Sequence, residues 1–390
     1  MMLGFLLARA GISVVVLEKH ADFLRDFRGD TIHPSTLQVM HELGLLEELL
    51  RLPHEKAPVL RAQVGDTAIA VADFTHLPAR CGFIAIMPQW DFLDFLARHA
   101  SRYPNFELRK RTEAVGLIED GEVIKGVHAA TPDGPVEIRA DLVIAADGRH
   151  SAIRDRAGLA VETLGAPMDV LWFRLSRRPD DPGETMGRFD VGRIFVLINR
   201  GAHWQCGFVI PKGSADDLRA RGLPAFRDAV ARLVPFERGR LAVIASGDDV
   251  KLLTVGVDRV LRWSREGLLC IGDAAHTMSP VGGVGINLAI QDAVAAANIL
   301  VPKLRNGGAT TQDLARVQQR RELPTRITQR LQVQVQNRIV HNVLNGDGGT
   351  SLQVPWALRL LQYVPALRRL PARLIGIGIR PEHVAPALRN

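Results

Sequence analysis

The sequence predicts an α/β protein: a three-layer domain around a parallel sheet, interrupted by an inserted mixed β-sheet and followed by a helical C-terminal region. Three observations predict it. The chain opens with a helix pattern, a β-branched strand and an acid; an apolar strand near residue 270 runs into a Gly-rich loop and another helix; and residues 166–262 switch to short strand-like runs between Pro and Gly turns. Helix, strand and terminal acid in that order form the back half of a dinucleotide-binding βαβ unit. Its front half, a strand plus a Gly-rich turn, would lie before Met1, so Met1 is expected to be an internal methionine of a longer chain.

Each element follows from local chemistry. Residues 1–10 carry Leu3, Leu6 and Leu7 on one side of a helix that Gly11 stops. Residues 12–17 (ISVVVL) have the continuous apolar pattern of a buried parallel strand, ending at Glu18. Pro34 and Ser35 start a helix with Leu37, Met40, Leu43 and Leu46 at helical spacing. Residues 58–74 alternate like short strands, and Pro88-Gln89 precede a helix whose apolar face is Phe92, Leu93, Phe95 and Leu96. A strand pair turns at Asp120-Gly121, and after Pro132-Asp133-Gly134 residues 142–146 form a buried strand that delivers Asp147-Gly148. DVLWFRL, RIFVLI and HWQCGFVI supply the inserted sheet, with one helix near 215–233. Residues 285–305 and 311–343 read as helices, and the remainder is amphipathic, Leu/Arg-rich and broken by prolines. The expected division is a first cofactor-domain part at 1–165 (of which 58–88 can join the inserted sheet), a substrate sheet at 166–262, a second cofactor-domain part at 263–305 and a helical region at 306–390.

Composition narrows the class. The 390 residues are 47% hydrophobic, enough for one large or two coupled cores. The formal charge is +7, but the arginines are scattered between apolar segments, without a basic block or a zinc-finger or RNP-like motif, which argues against a nucleic-acid partner. Cys81, Cys206 and Cys270 lie far apart and show no metal-ligand spacing, so neither a metal nor a disulfide framework is expected and the setting is reducing and cytoplasmic. The opening apolar run lacks a basic n-region and a cleavage site, and no later stretch is expected to reach transmembrane length. In the Leu/Arg-rich tail, Pro365 and Pro371 interrupt the amphipathic face, against membrane association.

The chemistry concentrates in Cys270-Ile271-Gly272-Asp273-Ala274-Ala275-His276, followed by Pro280-Val281-Gly282-Gly283-Val284-Gly285-Ile286-Asn287 and a long helix. A buried strand ends in Gly-Asp, glycines let a planar ligand approach, and the helix start aims N–H groups and a partial positive charge at the loop. This segment resembles the GD motif of class A flavoprotein monooxygenases, the para-hydroxybenzoate hydroxylase-like family. Residues 147–154 (DGRHSAIR) resemble the family's DG motif, and Glu18 resembles its ribose-binding acid. The resemblance runs in the family's order over residues 1–305.

The resemblance implies FAD as cofactor, NAD(P)H as reductant, dioxygen as oxidant and hydroxylation of an aromatic or polycyclic small molecule through a flavin C4a-hydroperoxide. It implies that Glu18, with Lys19 beside it, holds the adenosine ribose; that Arg28 meets the FAD phosphates; and that Gln89 contacts the FAD. Asp147 and Gly148 lie near the cofactor, His150 and Arg154 serve the nicotinamide nucleotide, and Gly272 and Asp273 bind the ribityl chain. Pro280 faces the reacting flavin edge, and Gly283, Gly285, Ile286 and Asn287 meet the pyrimidine ring.

Two departures stand out. The Gly-x-Gly-x-x-Gly turn is not within residues 1–390, and the only tyrosines, Tyr103 and Tyr363, fall outside the sheet module, where the family's prototype uses tyrosines to ionise a phenol. Trp172, Phe173, Arg174, Trp204, Gln205 and Phe208 are therefore the candidates to line a substrate pocket, with His33 or His203 as base. Residues 206–211 (CGFVIP) lack both tryptophans of the halogenase Trp-x-Trp-x-Ile-Pro motif. An FAD-dependent reductase or dehydrogenase and a non-catalytic remnant remain as alternatives, and substrate identity, NADH against NADPH and oligomeric state stay open.

Overall fold

The computed structural model describes residues 1–24, 31–65, 67–181, 185–190, 192–234, 238–340, 343 and 356–389. The first helix, Met2–Arg9, is buried along most of its length. Gly4 lets it approach the following strand: a Cβ there would come 2.7 Å from Val16 Cγ2. That strand, Val14–Glu18, pairs in parallel with Phe106–Lys110. A second parallel ladder joins Val143–Ala145 to Leu268–Cys270. The long helix Gly285–Leu304 packs against both Met2–Arg9 and the helix Thr311–Val335. Around them one large apolar core gathers Phe5, Leu37, Phe92, Phe95, Trp263, Leu269 and Val294.

Several expectations are refined. The strand pair around Asp120-Gly121 gains a third member, Gly134–Arg139. The helix expected near 215–233 is two, Ala215–Ala220 and Gly222–Ala231, divided where Gly222 takes a positive φ of 79°. Contrary to the sequence expectation, the segment Val281–Leu304 is long and apolar enough to cross a membrane. Its apolarity is explained by the interior, since 67% of its most apolar window is buried against neighbouring elements.

The inserted sheet has seven strands, in the order Lys251–Leu253, Met168–Ser176, His203–Pro211, Arg193–Asn199, Met186–Asp190, Val59–Val64, Thr67–Asp73. Two of these come from the first part of the chain, so the sheet is assembled from distant segments. Side chains alternate across it with period two. On one face Leu171, Phe173, Leu175, Trp204, Cys206 and Phe208 form a core under the helix Gly222–Ala231. Phe226 of that helix meets Phe173 and Phe208 edge-on, with ring centroids 5.4 and 6.0 Å away. On the other face Met168, Val170, Ile194 and Val209 pack with Trp172 and Leu253, and Val281 joins this cluster from the Gly-rich loop.

Candidate active site

Two motifs meet because their strands are neighbours. Leu268–Cys270 and Val143–Ala145 run parallel, and Ile271 N–H donates to Ala145 O at 3.0 Å. Asp147-Gly148 and Gly272-Asp273 therefore leave the same end of one ladder, the carboxyl end where open α/β sheets bind ligands. Gly148 has φ 93° and open space where a Cβ would stand. Gly272 has φ 57°, and a Cβ on it would lie 3.0 Å from Ala289 Cβ, so the turn is pressed onto the long helix.

Gly282 and Gly283 both take positive φ, 82° and 62°, and bend the chain into the helix start at Gly285. The first N–H groups of that helix, at Gly285, Ile286 and Asn287, have no partner within it by geometry. The Asn287 side chain is committed to protein: Oδ1 accepts from His33 N–H at 2.9 Å and Thr36 Oγ1 at 2.8 Å, while Nδ2 donates to Thr31 O at 3.0 Å. What this residue can offer a ligand is its backbone.

Beneath the loop, Asp292 is fully buried. Its Oδ2 accepts from Gly272 N–H at 3.1 Å and pairs with His276 Nε2 at 2.6 Å; its Oδ1 accepts from Arg321 Nε at 2.9 Å. Burial raises the Asp292 pKa, but the charges and hydrogen bonds of His276 and Arg321 outweigh it and hold the carboxyl below its ordinary range. Arg321 Nη1 continues to Glu382 Oε1 at 3.3 Å, which ties in the C-terminal segment.

His33 is wholly buried at the start of the helix Pro34–Glu42. Its Nδ1 lies 2.8 Å from Ile375 O, so this nitrogen carries the proton and Nε2 presents a lone pair; among the described residues Nε2 has no hydrogen-bond partner. Burial pushes its pKa down to about 4, against a smaller upward effect of the Ile375 carbonyl.

Glu18 ends its strand half-buried and accepts from His20 N–H at 2.9 Å; exposed Lys19 pairs with Glu113 at 3.6 Å. Gln89 begins the helix Gln89–Ala100, half-buried. Asp147 accepts from Ser151 Oγ and from Ile153 N–H, and His150 is exposed. Arg154 is turned inward, with Nε 2.9 Å from Asp155 Oδ1 and Nη1 3.1 Å from Arg149 O, so its guanidinium braces the DG turn. Arg28 lies outside the described residues.

Among the pocket candidates, Trp172 alone joins the cluster that includes Val281. Arg174 and Gln205 share its face of the sheet. Trp204, Phe208 and Phe173 belong to the opposite face, in the core under the helix Gly222–Ala231, as strand alternation requires. His203 pairs with Ser176, four residues along the strand from Trp172 and so about 13 Å from it. Burial, Arg174 and Arg200 all lower its pKa.

Sequence reading missed three residues that hold the loop. Gln329, Gln332 and Gln336 are buried along one face of the helix Thr311–Val335 and its continuation, and each bonds to the segment 277–281. Their signal was polar residues at i, i+3 and i+7, which a surface helix face shows equally well.

A Gly-Asp turn at a strand end, a glycine-bent loop entering a helix, and a separate sheet facing that loop define a flavoprotein with one site for cofactor and another wall for substrate. The donor set fits a flavin: backbone N–H groups for an anionic ring edge, carboxylates for sugar-alcohol hydroxyls, and glycines where a plane must approach. Residues 1–331 match the family described as FAD binding domain, and the chain belongs to that family and to its class A flavoprotein monooxygenases. It is 31% identical to 6-methylpretetramide 4-monooxygenase of Streptomyces rimosus over 375 residues, covering 95% of this chain and 88% of that protein. It is 29% identical to rifampicin monooxygenase of Streptomyces venezuelae, covering 73% of this chain but only 58% of that longer protein. Among solved structures, p-nitrophenol 4-monooxygenase of Pseudomonas putida superposes with TM-score 0.76 at 19% identity, covering 96% of this chain and 92% of that one. Anhydrotetracycline hydroxylase of Streptomyces rimosus gives 0.73 at 21% identity, covering 96% and 73%.

Proposed function

We propose that this protein hydroxylates an aromatic or polycyclic small molecule, with NAD(P)H as reductant and dioxygen as oxidant. The observation that carries the reading is the packing of Val281, in the Gly-rich loop, into the cluster that holds Trp172 on the inserted sheet. A flat ring laid on that sheet face would stand beside the loop. Relatives named as monooxygenases of 6-methylpretetramide and 2,4-dichlorophenol favour the same class of substrate. Bound FAD supplies the electron transfer and oxygen activation.

The chain's own residues divide the remaining work. Asp273 and the helix start at Gly285–Asn287 would hold the ribityl chain and the pyrimidine edge of FAD, with Glu18 at the ribose. The helix dipole favours negative charge at that edge. Trp172 offers an apolar, aromatic floor for the substrate. His33, wholly buried and neutral near pH 7, would brace the Ile375 carbonyl behind the site and not meet the ligand. His150 is exposed beside the DG turn, where a nicotinamide nucleotide could bind and leave. A reducing, cytoplasmic setting fits three cysteines that are all buried as free thiols.

The test is isotopic. Turnover with ¹⁸O₂ should place label in the product, with oxygen uptake matching product formed. Label arriving from water, or full turnover without oxygen, would move the assignment to a reductase or dehydrogenase.

A further inference from the structure

The helix Thr311–Val335 runs behind the flavin loop and reaches it through glutamine side chains. Gln332 grips the two residues flanking Pro280. Its Oε1 accepts from Ser279 N–H at 3.1 Å, and its Nε2 donates to Ser279 O at 3.0 Å and to Val281 O at 2.8 Å. Gln336 Nε2 donates to Ser279 Oγ, which itself accepts from Val281 N–H at 3.2 Å. Gln329 Nε2 donates to Thr277 O at 3.0 Å and to Asp258 O at 2.8 Å. Gln329 and Gln336 are wholly buried and Gln332 is 5% exposed.

The chemistry suits positioning. An amide side chain has both an acceptor and two donors, so one glutamine can satisfy an N–H and two carbonyls of an irregular loop that has no sheet or helix partner. It does so without introducing a charge into the interior. Three of them in sequence extend the pairing of segment 277–281 beyond the backbone bond from Thr277 N–H to Asp258 O at 2.9 Å.

We propose that Gln332, supported by Gln336, is a positioning residue that sets the conformation of Ser279-Pro280-Val281 and thereby the fit of the loop to FAD. Resting on the reading of residues 272–287 as the flavin loop, this adds the element outside the motif that shapes it. Helix and loop are coupled, so the binding of FAD and the seating of the helix reinforce each other.

The same helix supplies a matched control. Gln318 Oε1 accepts from Trp263 N–H at 3.0 Å and its Nε2 donates to Leu261 O at 2.9 Å, a similar two-bond grip on residues 261–263, which meet the loop through the Trp263 ring beside His276 and not through Ser279-Pro280-Val281. FAD titration by fluorescence quenching, the visible circular dichroism of bound flavin and thermal melting are compared in wild type, Gln332→Met, Gln332→Glu, Gln336→Met and Gln318→Met. Gln332→Met and Gln332→Glu should weaken FAD binding about 10-fold, within the usual span of coupling effects, and alter the flavin dichroism. Gln336→Met, the milder change, should move both in the same direction by about 3-fold. Gln318→Met should lower the melting temperature and leave affinity and dichroism unchanged. The proposal is overturned if the loop variants that fold bind FAD within twofold of wild type with an unaltered spectrum. It is equally overturned if Gln318→Met weakens FAD as much as they do. A wild-type chain whose melting temperature does not respond to FAD would overturn the coupling of this helix to the cofactor while leaving the family membership in place.

Discussion

The Trp172 indole lies across Gly207 of the neighbouring strand: a Cβ at Gly207 would stand 3.0 Å from the ring. The two residues are paired in register on the strands Met168–Ser176 and His203–Pro211. Glycine at that position lets the indole lie down on the sheet instead of standing off it. The face it covers is the one Val281 approaches from the flavin loop.

Gly207→Val should therefore lift the indole and spoil the floor of the substrate site. The overpacking should cost about 1–3 kcal/mol, expressed mainly as a raised KM for the aromatic substrate. FAD content, read from absorbance, should stay as in wild type. A variant with unchanged KM would show that Trp172 does not carry the substrate.

Gly283→Ala tests the bend before the long helix. The position has φ 62°, and a Cβ would come 2.5 Å from Thr31 Oγ1. The left-handed backbone alone should cost about 1–2 kcal/mol, with the clash added. Thermal melting of the apoprotein and FAD titration should both worsen, since the same bend supports the fold and aims the helix start.

Asp273→Ala should separate cofactor binding from stability. Loss of a charge-assisted hydrogen bond to a ribityl hydroxyl is worth about 1.5–3 kcal/mol, roughly a 10- to 150-fold drop in FAD affinity. The melting temperature of the apoprotein should move little. Equal affinity with a lowered melting temperature would make Asp273 a loop residue alone.

His33 makes a pH prediction with a definite sign. Burial lowers its folded-state pKa from 6.5 to about 4. The unfolded chain therefore binds this proton first as the pH falls. The stability contributed by the neutral buried imidazole is fully present above about pH 6.5 and is lost as the pH drops through about 4. The melting temperature of wild type should fall across that window, and His33→Asn should show a flatter profile there.

Fold class, strand order along the chain and the two glycine-aspartate motifs were legible because they depend on local pattern. Residues 12–17 are continuously apolar because a parallel strand is covered on both faces, and the strand at 268–270 ends in Gly-Asp because the turn needs a positive φ. The aromatic set Trp172, Phe173, Trp204 and Phe208 was legible only as a set. Alternation says that neighbours face opposite ways, but not which way is toward the flavin loop.

That choice belongs to tertiary structure. Once the helix Gly222–Ala231 settles on one face, Phe173, Trp204 and Phe208 become its core, and Trp172 is left on the face toward Val281. The same holds for Gln332, whose spacing is that of any polar helix stripe until the helix docks behind the loop. By itself the sequence determined the strand–turn–helix loop, because β-branched residues hold an extended strand and glycine permits the positive φ of the turn, and the class of cofactor followed from the resemblance those motifs carry. Only the packed structure decided which side chains face the substrate and which hold the loop, because those roles arise from contacts between segments far apart in the chain.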